Sequence, residues 1–122
     1  MSLEVMTISD SILLSVKKKL GLTNEQTYYD DQIITCINTV LLILYQIGIG
    51  DLFRISSDAE TWADFLGQHE EMLGMVKDYV PQKVRMLFDP PTSSTLVEAT
   101  KNNISELEWR LREMNEIFMQ ET

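Results

Sequence analysis

The chain has 122 residues, the size of a single domain without room for a second independent core. Hydrophobic residues make up 44% of it, a globular composition that argues against intrinsic disorder. The formal net charge of -9, from 19 acidic and 10 basic residues, repels phosphate backbones and therefore argues against binding to nucleic acid.

The N-terminal segment, residues 1–8, is expected to be flexible, and no charged stretch followed by an apolar one marks a secretory signal there. Apolar residues at helical spacing then predict a first helix: Ile12, Leu13, Val16 and Leu20. Ser9 or Asp10 is its predicted cap, and Gly21 its end. The three lysines at 17–19 fall in its last turn, where positive charge compensates the negative end of the helix dipole.

A second helix is predicted to begin at Asp30 or Asp31 and to end at Gly48 and Gly50. Apolar side chains cover almost its whole circumference, so we expect a central helix that is buried on nearly all sides. Its predicted core residues are Ile37, Val40, Leu41 and Leu44. Its longest unbroken apolar run, residues 40–45, is far short of the ~20 residues that span a bilayer, so no membrane association is expected.

The single cysteine, Cys36, lies within this second helix. One cysteine excludes an intrachain disulfide and suits a reducing compartment. Its position among apolar neighbours predicts a small buried hydrophobic side chain rather than a nucleophile.

The middle of the chain is acidic, with five acidic residues and no basic one over residues 58–71. Ser57 and Glu60 have the spacing of a capping box and predict a short helix that ends at Gly67. A further segment covers residues 70–88, and we predict that Pro81 breaks it, because proline lacks a backbone donor and clashes with the preceding turn.

The last helix is predicted over residues 95–121, where there is no glycine or proline. Its apolar stripe has the alternating spacing of a helix-packing surface: Val97, Thr100, Ile104, Leu107, Leu111, Met114 and Phe118. Such a helix is roughly 40 Å long, whereas a compact domain of this size is about 35 Å across. Because we place the core in the helices before Asp89, the stripe after Asn103 is expected to need an outside partner. The alternative is a helix that lies flat across its own bundle.

These patterns predict an all-α fold, a small bundle of five or six helices with a long C-terminal helix, as one domain over residues 1–122. The only histidine, His69, matches no zinc motif, and no phosphate-binding loop or nucleophile motif is present. We therefore expect no enzymatic activity and no metal or other cofactor, and a function in binding other proteins.

One segment carries a family resemblance. Residues 83–94, with Phe88-Asp89-Pro90-Pro91 at their centre, resemble the head–tail connector (head-completion adaptor) proteins of tailed bacteriophages. The likeness continues through Leu96, Ala99, Ile104 and residues 106–111. The first half also fits, with a helix ending in Lys-Leu-Gly-Leu, an Asp-Asp pair and a long apolar helix.

The resemblance implies a virion structural protein at the head–tail interface, assembled in the host bacterial cytoplasm. Its copies would form a ring below the portal protein, twelvefold in many family members, that extends the DNA channel and docks the next head-closure or tail protein. Family members grip the portal with their C-terminal helix, so the assembly or portal-binding residues predicted here are Leu107, Arg110, Leu111, Arg112, Met114 and Phe118. Asp58, Glu60 and Asp64 are candidate channel-lining residues, since an acidic lumen lets DNA pass without binding it.

A different class of function fits part of the same pattern. A cytoplasmic helical regulatory protein would dimerise through its C-terminal helix and bind a protein or an operator. The net charge of -9 and the lack of an arginine-rich recognition helix argue against operator binding.

Overall fold

The computed structural model describes residues 8–67 and 69–121, with the side chains as far as Ile117. The elements are α1 (Ile12–Lys19), α2 (Asp30–Gln46), α3 (Trp62–Leu66), a 3-10 turn (Glu70–Met72), α4 (Leu73–Phe88) and α5 (Ser94–Glu121). No strand occurs in these ranges, so the predicted all-α bundle with a long C-terminal helix is confirmed. The flexibility expected of residues 1–8 lies outside the described residues except at Ile8, which packs partly buried against the core and whose carbonyl accepts from the Ala63 amide at 2.6 Å.

The core is built around α4, which packs against α1, α2 and α5. The inner side of α2 supplies fully buried side chains at all four predicted core positions, Ile37, Val40, Leu41 and Leu44. The outer side of α2 is open, however, and Leu42 is 45% exposed. The expectation of a helix buried on nearly all sides is therefore wrong, because no element of the described chain covers the outer side. Cys36 is half-buried rather than buried.

Two helix starts differ from the predicted ones. Ser11, rather than Ser9 or Asp10, caps α1, with its hydroxyl accepting from the Leu14 amide at 3.2 Å. Thr61 caps α3 through a capping box with Asp64, one turn later than the predicted Ser57 and Glu60. An antiparallel bridge between Ser11 and Thr61 keeps the chain extended up to Thr61, so α3 begins only at Trp62.

Pro81 does not break its helix, contrary to the prediction, and α4 is continuous from Leu73 to Phe88. The proline and the adjacent Val80 and Val84 are buried in the core. Burial of these side chains against the neighbouring helices offsets the one backbone hydrogen bond that the proline removes.

α5 lies antiparallel along α4, as the hydrogen bonds from Tyr79 to Glu108 and from Asn103 to Gln82 show. At its far end the Asn115 amide reaches the Ile47 carbonyl after α2. Gly48 allows this approach, because a Cβ there would overlap the Asn115 side chain, and its φ of 93° favours glycine.

The core therefore continues into α5, where Ile104, Leu107 and Leu111 are buried. The expectation that the core ends before Asp89 and that the stripe lacks a partner within the chain is wrong over these residues. The long helix lies flat across its own bundle, which was the alternative. Its length is accommodated because it runs the full height of α4 and on to the end of α2.

Candidate functional site

The residues predicted to bind the portal fall into two groups in the structure. Leu107 and Leu111 are buried in the core, and Met114 packs partly buried against it. Arg110 and Arg112 are exposed to solvent. The side chain of Phe118 lies outside the described residues. Among the described members, the buried side chains hold α5 to the domain and the arginines are accessible to another protein.

A polar contact between α4 and α5 fixes how α5 is rotated about its axis. The Tyr79 hydroxyl donates to the Glu108 carboxylate at 2.6 Å, and the Lys83 ammonium lies 4.0 Å from the same carboxylate. Burial raises the pKa of the Tyr79 hydroxyl, and the neighbouring Glu108 carboxylate raises this pKa further. With Glu108 held towards α4, the next residue, Trp109, points to solvent.

Trp109 and Ile117 form an exposed apolar pair on α5 that was not predicted. Their side chains are 61% and 53% exposed. They are eight residues apart, about 80° beyond two full turns, and so lie on adjoining parts of the solvent-facing side of the helix. Both lie off the apolar stripe, and this is the signal in the sequence that could have revealed them.

Charged residues accompany this pair. The Arg110 guanidinium pairs with the Glu106 carboxylate at 3.0 Å, and Glu113 lies between Trp109 and Ile117 on the same side. We call the exposed residues Glu106, Trp109, Arg110, Glu113 and Ile117 the outer row of α5. Arg112 is not included in this row, because it lies about 160° around the helix from Arg110, although it is about one turn from Trp109.

The outer side of α2 presents two shallow grooves that share Thr35. The first groove is lined by Tyr29, Cys36, Leu87 and Phe88, with Asp89 also in its wall. The second groove is lined by Leu42, Leu52 and Phe53, with Arg54 also in its wall. From Gln32 to Gly50 the chain carries no charged residue, so the helical wall of both grooves is uncharged.

The candidate channel-lining residues cluster around the start of α3. Asp58 is exposed. The Asp64 carboxylate accepts from the Thr61 amide at 2.9 Å as part of the helix cap. Glu60 accepts from the backbone amides of Ser56 and Ser57 at 2.8 and 3.1 Å. Desolvation acts to raise the pKa of the Glu60 carboxyl, but these hydrogen bonds outweigh it and lower the pKa to about 2. Glu60 and Asp64 therefore have structural roles besides any role in a channel.

The described residues include no group of three or more His, Cys, Asp or Glu side chains placed to hold a metal ion. Over the same ranges, every helix is too short or too polar to cross a membrane. The candidate site consists of the exposed surfaces described above, the outer row of α5 and the two grooves of α2.

Residues 12–116 match the family described as phage connector protein. The chain belongs to the phage connector protein family. Comparison of the chain with curated proteins and with solved structures found no significant match. The resemblance seen around Phe88-Asp89-Pro90-Pro91 is confirmed, and the connector is a phage structural protein. The outer row of α5 and the grooves of α2 are accordingly the candidate contact surfaces for other head and tail proteins.

Proposed function

We propose that this connector forms a ring below the portal of the capsid, extends the DNA channel and docks the next head-closure or tail protein. Family membership supports the connector role. The observation that carries the proposal is α5, a helix anchored in the core that leaves Trp109 and Ile117 exposed. Large exposed apolar side chains on a rigid element are typical of a surface that another protein covers.

Because the apolar stripe of α5 is buried, we no longer assign its leucines to the portal contact. Leu107 and Leu111 position the helix, while the exposed Arg112, and Arg110 in exchange for its partner Glu106, could meet carboxylates on another protein. These arginines lie on different sides of the helix, so they serve different neighbours. We assign Arg112 to the portal.

A test is to co-express the connector with the portal protein of its own phage and purify the complex. The wild-type connector is expected to copurify with the portal, and the Arg112→Glu variant to lose most of that binding. Lys101→Glu is the matched control, since it makes the same charge change at another exposed position of α5. Equal binding by wild type and Arg112→Glu would contradict the assignment of Arg112.

The acidic residues around α3 support a channel role. In the proposed ring, Asp58, Glu60 and Asp64 would face the lumen, where negative charge repels DNA and lets it slide. We propose this connector as a virion protein that assembles in the host bacterial cytoplasm.

We predict that the connector does not bind duplex DNA at physiological salt. Its net charge of -9 opposes the release of counterions that drives such binding. Fluorescence anisotropy with a labelled linear duplex, measured over a range of salt concentrations, checks this. Sub-micromolar binding that weakens with salt would overturn both the charge argument and the proposed lumen.

A further inference from the structure

We infer that the outer row of α5 in one connector lies along the two grooves of α2 in a neighbouring copy. Trp109 enters the first groove and Ile117 enters the second. This contact rests on the proposed ring and names the subunit interface within it.

The apolar parts of the two surfaces match in spacing. Trp109 and Ile117 are eight residues apart on α5, roughly 12 Å along its axis. Cys36 in the first groove and Leu42 in the second are six residues apart on α2, about 9 Å along its axis. These two axial distances differ by less than one helical turn, and a long tryptophan side chain can span that difference. Both surfaces expose apolar side chains that gain from mutual burial, including Leu42 and Leu52 of the second groove.

The charges of the two surfaces are complementary in the same orientation. Arg110, which pairs with Glu106 within its own helix, follows Trp109 and would exchange that partner for Asp89 of the first groove. Glu113 precedes Ile117 by one turn and would meet Arg54 of the second groove. Reversing the direction of α5 would bring like charges together at both grooves, which disfavours that arrangement.

The overall charge also indicates where copies can approach one another. Two chains that each carry a net charge of -9 repel, so close contact is least costly at a surface with few charges. The outer side of α2 is such a surface, since no charged residue occurs from Gln32 to Gly50.

The two surfaces lie on different parts of the molecule. Among the described side chains of α5, which end at Ile117, none lines either groove, so a chain does not fill its own grooves with its own outer row. Contact between unlike surfaces of identical chains is head-to-tail, and such contacts form a ring when the rotation between neighbouring copies closes, as the proposed ring requires. The occupant of the grooves is therefore a second copy of the connector.

The native thiol in the first groove permits a direct test. Cys36 is the only cysteine of the chain, and Trp109→Cys would place a second thiol opposite it in the neighbouring copy. We expect a short bis-maleimide to link this variant, bound to the portal, into a ladder of dimers, trimers and higher species on denaturing gels. Lys101→Cys, at another exposed position of α5, is the matched control and should give no ladder, as should Trp109→Cys with Cys36→Ser.

A charge exchange tests the orientation without removing the tryptophan. Arg54→Glu alone should reduce assembly at least tenfold in the concentration required, and Arg54→Glu with Glu113→Arg should restore it. A portal-bound ring without the Trp109→Cys cross-link, or without rescue by the charge exchange, overturns this interface while leaving the proposed function intact. Failure of the wild-type connector to form any ring with its portal overturns the proposed function itself.

Discussion

Leu111→Asp is expected to unfold the connector or to lower its free energy of unfolding by about 4 kcal/mol or more. Leu111 is 0% exposed, so the substitution removes a packed side chain and buries a carboxylate without a partner. Domains of this size are stable by about 5–15 kcal/mol, which makes such a loss decisive. Urea titration followed by far-UV circular dichroism measures it.

Trp109→Asp is the matched control for this prediction. It introduces the same carboxylate two residues away on α5, but Trp109 is 61% exposed, so the fold should be retained. A Leu111→Asp protein that unfolds at nearly the wild-type urea concentration would show that α5 is not part of the core.

Asp30→Ala is expected to destabilise the connector by about 3 kcal/mol, the lower end of the effect of removing one partner of a buried ion pair, because the Asp30 side chain is 23% exposed. The Lys17 side chain is 0% exposed, and its ammonium lies 2.9 Å from the Asp30 carboxylate. Apart from that carboxylate, the ammonium contacts the Asn24 carbonyl at 3.4 Å. Without Asp30, a buried positive charge is left with one weak neutral partner. Urea titration at neutral pH gives the change.

Asp31→Ala is the matched control, which distinguishes loss of the ion pair from loss of a favourable negative charge at the N-terminus of α2. Asp31 is also in the first turn of α2 but is exposed, so its removal should destabilise by less than about 1 kcal/mol. Lys17→Met with Asp30→Asn should recover much of the lost stability, because no buried charge then remains. Equal effects of Asp30→Ala and Asp31→Ala would contradict a stabilising role for the pair.

The lysines at the end of α1 show one limit of reading this sequence. The pattern indicated correctly that residues 17–19 lie in the last turn. It did not reveal that Lys17 is buried, because its partner Asp30 follows an intervening loop and belongs to another helix. Lys17 does lie one turn after the buried Leu13, so its place at the edge of the apolar face was visible.

The sequence was most informative where periodicity was strong. The apolar spacing in α2 identified its core residues, and the residues around Pro90 identified the family. The sequence did not determine where α3 begins, because two possible helix caps lie close together. Ser57 with Glu60 and Thr61 with Asp64 both have capping spacing, and only the tertiary pairing of Ser11 with Thr61 selects the second.

The assembly surface was predicted only in part, because the length of α5 does not reveal whether its apolar stripe packs against its own domain or against another protein. A helix about as long as the domain can overshoot it or lie across it, and the stripe containing Leu111 is compatible with both. The structure shows that the stripe from Ile104 to Met114 faces α4 and the core, which shifts the candidate assembly surface to Trp109, Ile117 and the arginines. That choice depends on which face α5 turns inward, a property of packing rather than of local sequence.

Electron microscopy of the connector bound to the portal of its own phage tests the central claim most directly. The proposed function predicts a ring of connector copies below the portal, with matching rotational symmetry and an open central channel. Portal particles without an added ring, or with connector density that lacks cyclic order, would contradict it.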